Sequence, residues 1–262
     1  MKIETIKSIL LNLLTPTILL LLLAFDATAQ EAKDLPAQAD PAAWHLLKEA
    51  RATREVLPDS IKRITAQLVF NDNGEIKTGT LDYDVQNRAI ITMNGLNDEA
   101  KVWVNDQVNS VLAHRRNGDF TKSDGRHPIT FAANDKADKS PIGRRVELHD
   151  SMQSSYRIKN NQVVEVDRTM ADDHFVINVL ETTPTADGKF LPRNFIVNYF
   201  DANTGAVKRS ESFTDEYQKI DGVWVPATRR IIVAHAGKLT TRLLTFQNVA
   251  LHKGQPVAMS AK

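Results

Sequence analysis

From Arg144 to Leu251 the chain is a succession of apolar–polar alternations cut at short intervals by turn residues, and that rhythm points to an antiparallel sheet. Val146 and Leu148 open it. Tyr156 and Ile158 run to Asn160-Asn161, and Val164 and Val166 follow with Glu165 and Asp167 on the opposite face. Phe175, Ile177 and Val179 then lead to Asp187-Gly188. Phe195, Val197 and Tyr199 lead to the turn at 201–205, the segment 207–217 to Asp221-Gly222, and 223–234 to Gly237, before 239–251 closes the series. The N-terminal part repeats the device once, with Ile64, Ala66, Leu68 and Phe70 returning through Asn73-Gly74 into 76–84, and a further strand at 88–93.

Two stretches leave this period. Asp40-Pro41 reads as N-cap and first residue of a helix reaching about Leu57, with Trp44, Leu47 and Ala50 along one stripe, Arg51, Arg54 and Glu55 largely elsewhere, and Pro58 as the stop. Between Asp98 and Arg116 the residues Trp103, Val104, Val108, Val111 and Leu112 recur at three and four, which makes a second helix with one buried face. Asn105, Asp106 and Asn109 fall on its polar face. Residues 117–143 combine Gly118, Asp124-Gly125, Pro128 and Pro141-Ile142-Gly143 and read as a long loop with at most one short strand around Ile129 to Phe131. The expected fold is mainly β (α+β), a single curled antiparallel sheet of about ten or eleven strands. It forms an unclosed half-barrel with the two helices packed on or plugging its concave face.

The first residues bear on location. Lys2 and Lys7 precede an apolar run from Ile9 to Leu23 that is shorter than the roughly 20 residues of a spanning helix, and Ala27-Thr28-Ala29 has the small residues of a cleavage site. The expectation is a signal peptide cut after Ala29, a leader over 30–39 and one domain over 40–262, periplasmic or secreted, with no membrane span left after cleavage. The sequence has no Cys, so disulfides, a lipid-modified Cys, a thiolate nucleophile and Cys-ligated metal are all excluded. Its 33 basic and 32 acidic residues leave no net field to attract nucleic acid. No oligomeric state follows from the sequence.

The familiar cofactor motifs are missing. There is no Walker loop, no dinucleotide fingerprint after a strand, no His-Glu-x-x-His and no Gly-x-Ser-x-Gly, so no cofactor is expected. The seven histidines never fall at i, i+2 or i, i+4, so no metal site is expected either. Glu165 and Asp167 lie about 7 Å apart on one strand face, and a solvated face explains them more simply than paired-carboxylate catalysis. The richest polar segment runs from His114-Arg115-Arg116 through Asp124 to His127. Its cations complement the end of a helix, or they form an anion or head-group contact joined by Arg144, Arg145, Arg157 and Arg168.

His114-Arg115 with Phe120 and Asp124-Gly125, Pro141-Ile142-Gly143-Arg144, Ser155-Tyr156-Arg157 and Asp221-Gly222-Val223-Trp224-Val225-Pro226 together resemble a family of bacterial and plastid proteins of unknown function, over roughly residues 45–252. More loosely, the pattern from Tyr217 to Pro226 and the closing hairpin through Asn248 are similar to the LolA-like superfamily of periplasmic lipoprotein carriers. That second resemblance implies an unclosed half-barrel plugged by helices around an apolar cavity for acyl chains. The basic loop at 114–143 has no counterpart in those carriers.

The expectation for function is a non-catalytic carrier of a lipid, acyl chain or other apolar ligand. Its candidate contacts are Trp103, Val104, Val108, Leu112, His114, Arg115, Arg144, Tyr156, Arg157 and Arg168. The alternatives are a cofactor-independent enzyme built on His114, Arg115, Asp124 and His127, with a His as general base, and an interaction module of the cell envelope.

Overall fold

The computed structural model describes residues 34–135, 140–170 and 173–254. The export segment read at 1–29 and the first residues of the leader lie outside them. No helix among the described residues is long and apolar enough to cross a membrane.

Helix α1 (Pro41–Ala52) starts where its cap predicts. The Asp40 carboxylate accepts the N–H groups of Ala42 and Ala43 at 2.8 and 3.2 Å, and Pro41 fills the first turn, where a missing N–H costs nothing. It ends at Ala52, five residues short of the expected Leu57, because tertiary partners take the backbone groups that a longer helix would use. Phe190 N–H donates to the Thr53 carbonyl, Glu55 N–H to Phe190, and Leu57 N–H to Arg115. Helix α2 (Asp98–Ala113) is capped by the Asn97 side chain on Ala100 N–H, with Asp98 and Glu99 complementing the positive end of its dipole. It stops three residues before the expected Arg116, with His114 as C-cap.

Twelve strands form one antiparallel sheet, against the ten or eleven expected, the short edge strand β4 among them. In chain order they are β1 (Ile61–Asp72), β2 (Glu75–Asp84), β3 (Ala89–Met93), β4 (Ile129–Phe131), β5 (Arg144–Leu148), β6 (Ser155–Lys159), β7 (Gln162–Met170), β8 (Asp173–Pro184), β9 (Phe190–Asp201), β10 (Val207–Ile220), β11 (Val223–His235) and β12 (Lys238–Lys253). From β4 to β12 each strand pairs with its sequence neighbour. The β1–β3 meander is attached through β1, which pairs with β12, so the spatial order is 3-2-1-12-11-10-9-8-7-6-5-4. The sheet does not close. The turn between β1 and β2 has Asn73 and Gly74 at φ 50° and 102°, the doubly left-handed backbone that a two-residue hairpin requires.

Both helices lie on the same face, since paired residues carry one face from strand to strand. α2 packs Val104, Val108, Val111 and Leu112 on Leu68, Phe70, Leu81, Tyr83, Leu244 and Phe246. α1 packs Trp44, Leu47 and Ala50 on Ile129, Val146, Tyr156 and Ile158, and Leu35 of the leader joins that core. These are separate cores at the two ends of one sheet. On the polar face of α2, Asn109 does not simply meet solvent: its carbonyl oxygen accepts Ala89 N–H on the edge strand at 2.9 Å.

Candidate functional site: a cleft between two helices

Between the two helix-covered cores, the middle strands keep a third apolar surface. Val197, Phe213 and Ile231 are buried there, while Phe175, Ile177, Phe195, Tyr199, Val233 and the α2 residue Trp103 are only partly covered. The register explains the continuity. Phe175 faces Tyr199, Ile177 faces Val197, Phe195 faces Phe213 and Phe213 faces Ile231, so the inward residues of β8–β11 form one floor. The rings of Phe195 and Phe213 stack with centroids 4.4 Å apart. Alongside lies a cavity of about 670 Å³, bordered by Trp103, Gln107 and Ser110 from α2 and by Tyr199, Glu211 and Val233 from the sheet, a size usual for small-molecule sites. A second hollow of about 620 Å³ includes the outward-facing Thr214, Glu216 and Arg230, and the Arg193–Glu216 ion pair (2.8 Å) belongs to its lining.

One flank of the floor is charged. Asp124, on the loop after α2, accepts an ion pair from Arg51 of α1 at 2.6 Å and lies 3.7 Å from Arg168 of β7. Arg168 also donates to the Tyr156 hydroxyl, and the guanidinium groups of Arg51 and Arg168 stand over the Tyr156 ring at 5.7 and 5.5 Å. Burial raises the pKa of that phenol, and Asp124 adds to the rise. Burial, then the charge of Arg51, brings Arg54 down to about 10. The loop is held over α1 by Trp44, whose indole N–H donates to Gly125 at 3.0 Å and whose ring meets Phe120 edge-on.

The opposite flank is neutralised. Arg229 and Asp215 form a two-pronged pair at 2.8 and 2.6 Å, and Arg229 reaches α2 through the Gln107 carbonyl and the Ser110 hydroxyl at 3.3 Å. Arg115, an electrostatic neighbour of Arg54 on the charged flank, is only 3 % exposed. It donates to the Trp224 carbonyl at 3.0 Å and stands over Tyr217, whose pKa burial raises strongly. His114, the C-cap of α2, is exposed. Burial first, then Arg229, Arg54, Arg51 and Arg168, lower its pKa to about 4.

The residues singled out from sequence divide into three sets. Val104, Val108 and Leu112 lie in the core under α2, and Trp103 alone of that stripe is half-exposed at the cleft, beside Phe70 (5.4 Å) and Arg242 (5.2 Å). Tyr156 and Arg168 meet Asp124, and the electrostatic neighbours of His114 include Arg168. Arg144 and Arg157 gather elsewhere, near Asp135 at 3.8 and 3.7 Å, with Arg157 also 3.5 Å from Glu165. Asp167 pairs with Arg145 and His174, so Glu165 and Asp167 each serve an ion pair. His127 is engaged by Arg126 at 3.0 Å, and among the described residues no side-chain hydrogen bond joins His114 or His127 to Asp124. Sequence reasoning missed Arg51, Arg54, Asp215 and Arg229. The last two carried a signal, since they occupy inward positions of strands whose other inward residues are Phe213, Tyr217 and Ile231.

Residues 39–252 match the family described as protein of unknown function (DUF3386), and the chain belongs to that family. Three solved structures are similar in chain path. One is a candidate outer membrane lipoprotein-sorting protein domain from Vibrio parahaemolyticus, with 11% identity and a TM-score of 0.37 over 82% of this chain and 94% of that one. A DUF1329 family protein from Desulfovibrio piger gives 9% and 0.27 over 82% and 94%. A LolA superfamily protein from Nitrosomonas europaea gives 10% and 0.26 over 84% and 97%. No curated protein matches in sequence.

Proposed function

We propose that this member of the family is an exported, non-catalytic binding protein that holds an acyl chain or comparable apolar ligand in the cleft between its helices. The observation that carries the reading is the half-covered floor: Phe175, Ile177, Phe195 and Tyr199 are inward residues of central strands, yet they are only partly buried, with Trp103 the one helix residue of their cluster. Apolar surface left open beside two well-packed cores favours an apolar guest. Burying ten methylenes contributes about 8 kcal/mol before the cost of association, enough to need no cofactor. Export rests on Lys2, Lys7, the Ile9 to Leu23 run and Ala27-Thr28-Ala29.

The test uses Nile red, an uncharged dye whose emission shifts in apolar surroundings, displaced by hexadecan-1-ol. Saturable uptake by the protein and its loss in Ile177→Asp, with the thermal melt retained, are expected. Absence of saturable uptake by the unmodified protein overturns the reading.

A further inference from the structure

We propose that the charged flank of the cleft is an anion site formed by Arg54, Arg115 and Arg168, and that the ligand is an anionic amphiphile whose carboxylate or phosphate head docks there while its chain lies on the floor. This rests on the cleft being a site for an apolar chain, and it adds the chemistry of the head.

Unspent donors are the first support. Nε of Arg54, Nε and Nη1 of Arg115 and Nε of Arg168 are buried and have no hydrogen-bond partner among the described residues. Buried polar groups are nearly always paired, and buried guanidinium groups carry the largest penalty when they are not. Arg115 is the sharpest case. It is almost wholly buried and fixed by Trp224 and Tyr217, with two of its nitrogens left over.

Charge balance is the second. Asp124 already serves both Arg51 and Arg168, and Arg54 feels the charges of Arg51, Asp124 and Arg115. Glu55 is bonded by the Thr185 hydroxyl at 2.6 Å, and Asp215 is saturated by Arg229. The flank therefore sets four guanidinium groups against the two carboxylates Asp124 and Glu55, a net positive charge, and planar forks of N–H donors suit a further carboxylate or phosphate. His114 counts Arg54, Arg51 and Arg168 among its electrostatic neighbours.

Position is the third. Arg168 stands opposite Phe175 in the β7–β8 register, so the charged flank touches the apolar floor with no spacer between them. A head and its tail fit that adjacency.

The experiment is calorimetric titration of the full mature chain with hexadecanoate, hexadecyl phosphate, hexadecan-1-ol and sodium acetate, repeated with Arg54→Gln, Arg168→Gln and the charge-retaining Arg168→Lys. The two anionic amphiphiles should bind about tenfold or more tighter than the alcohol, the scale of one or two charge-assisted hydrogen bonds. Each Gln variant should remove most of that margin and leave the alcohol unchanged, with Arg168→Lys intermediate. Equal affinity for hexadecanoate and hexadecanol in the unmodified protein overturns the anion site and leaves the chain reading standing. Acetate binding as tightly as hexadecanoate overturns the amphiphile in favour of a small free anion. Failure of every long-chain ligand overturns both readings. Because the unmodified protein alone supplies these comparisons, a variant that fails to fold does not block the decision. A melting temperature unchanged or raised in Arg54→Met is expected, whereas a marked fall would show that Arg54 serves only the fold.

Discussion

Arg168 on β7 and Phe175 on β8 are directly paired across the sheet, so the border between the charged flank and the apolar floor runs between these two positions. The two residues should therefore separate in binding experiments. Phe175→Ser is expected to weaken hexadecanoate and hexadecan-1-ol by the same factor, about tenfold or more, because it removes ring surface worth about 1.5–3 kcal/mol when buried. Parallel titrations of both ligands check it, and a change in the ratio of the two affinities would contradict it.

Asp215→Ala is expected to cost about 3–5 kcal/mol, since it strands the buried Arg229, which is 3 % exposed. Removing both partners, with Asp215→Leu and Arg229→Met, should cost much less. Urea unfolding of the single and the double variant makes the comparison, with the double variant no worse than the single one.

The stripe on α2 should respond unevenly. Leu112 is buried and its change to Ala is expected to cost about 2–5 kcal/mol. Trp103 is half-covered, so Trp103→Ala should lose little more than its ring contacts with Phe70 and Arg242, about 1–2 kcal/mol, and should alter ligand retention as well. Thermal melts with and without hexadecanoate distinguish the two positions.

His114 gives a pH signature. Its folded pKa of about 4 lies below the unfolded value near 6.5. Between those values the unfolded chain binds a proton that the native chain does not. Stability therefore falls as pH drops from about 6.5 towards 4, and His114→Gln should flatten that slope. An anion bound beside the ring favours the imidazolium, so hexadecanoate should move the NMR titration midpoint of His114 upward. Hexadecan-1-ol should not.

Asn109→Ala should destabilise by about 1–3 kcal/mol, because Ala89 N–H on the edge strand loses its partner. Hydrogen exchange at Ala89 reports it locally, with faster exchange expected there than in the centre of β1.

The sheet was legible because its signals are local. Asn73-Gly74, Asn160-Asn161 and Asp221-Gly222 all carry positive φ, and the residues between such turns alternate for a face that is covered on one side. Pairing between β1 and β12 was not legible, since nothing near Leu68 announces Phe246 as its partner. The end of α1 was misplaced for a similar reason: the helical pattern continues locally, while the partners that end it, Phe190 and Arg115, come from remote parts of the chain. The site was half legible. Tyr156 and Arg168 were read as contacts, but Arg51 and Arg54 fell off the apolar stripe of their helix, because periodicity gives a face and not what stands across from it.

The place of β12 between β1 and β11 governs when this protein can fold. The core under α2 takes its walls from β1 and β2 and from β11 and β12, which are the two extremes of the domain. A chain emerging from its N-terminus can zip β4 to β11 hairpin by hairpin, whereas the β1–β3 meander and α2 must wait, apolar face exposed, until the last strand arrives. Contacts of such sequence separation are slow to form and leave sticky intermediates, so this lobe sets the pace of folding and depends most on being shielded meanwhile. Deleting β12 would cost far more than one strand. It would release the whole meander from the sheet.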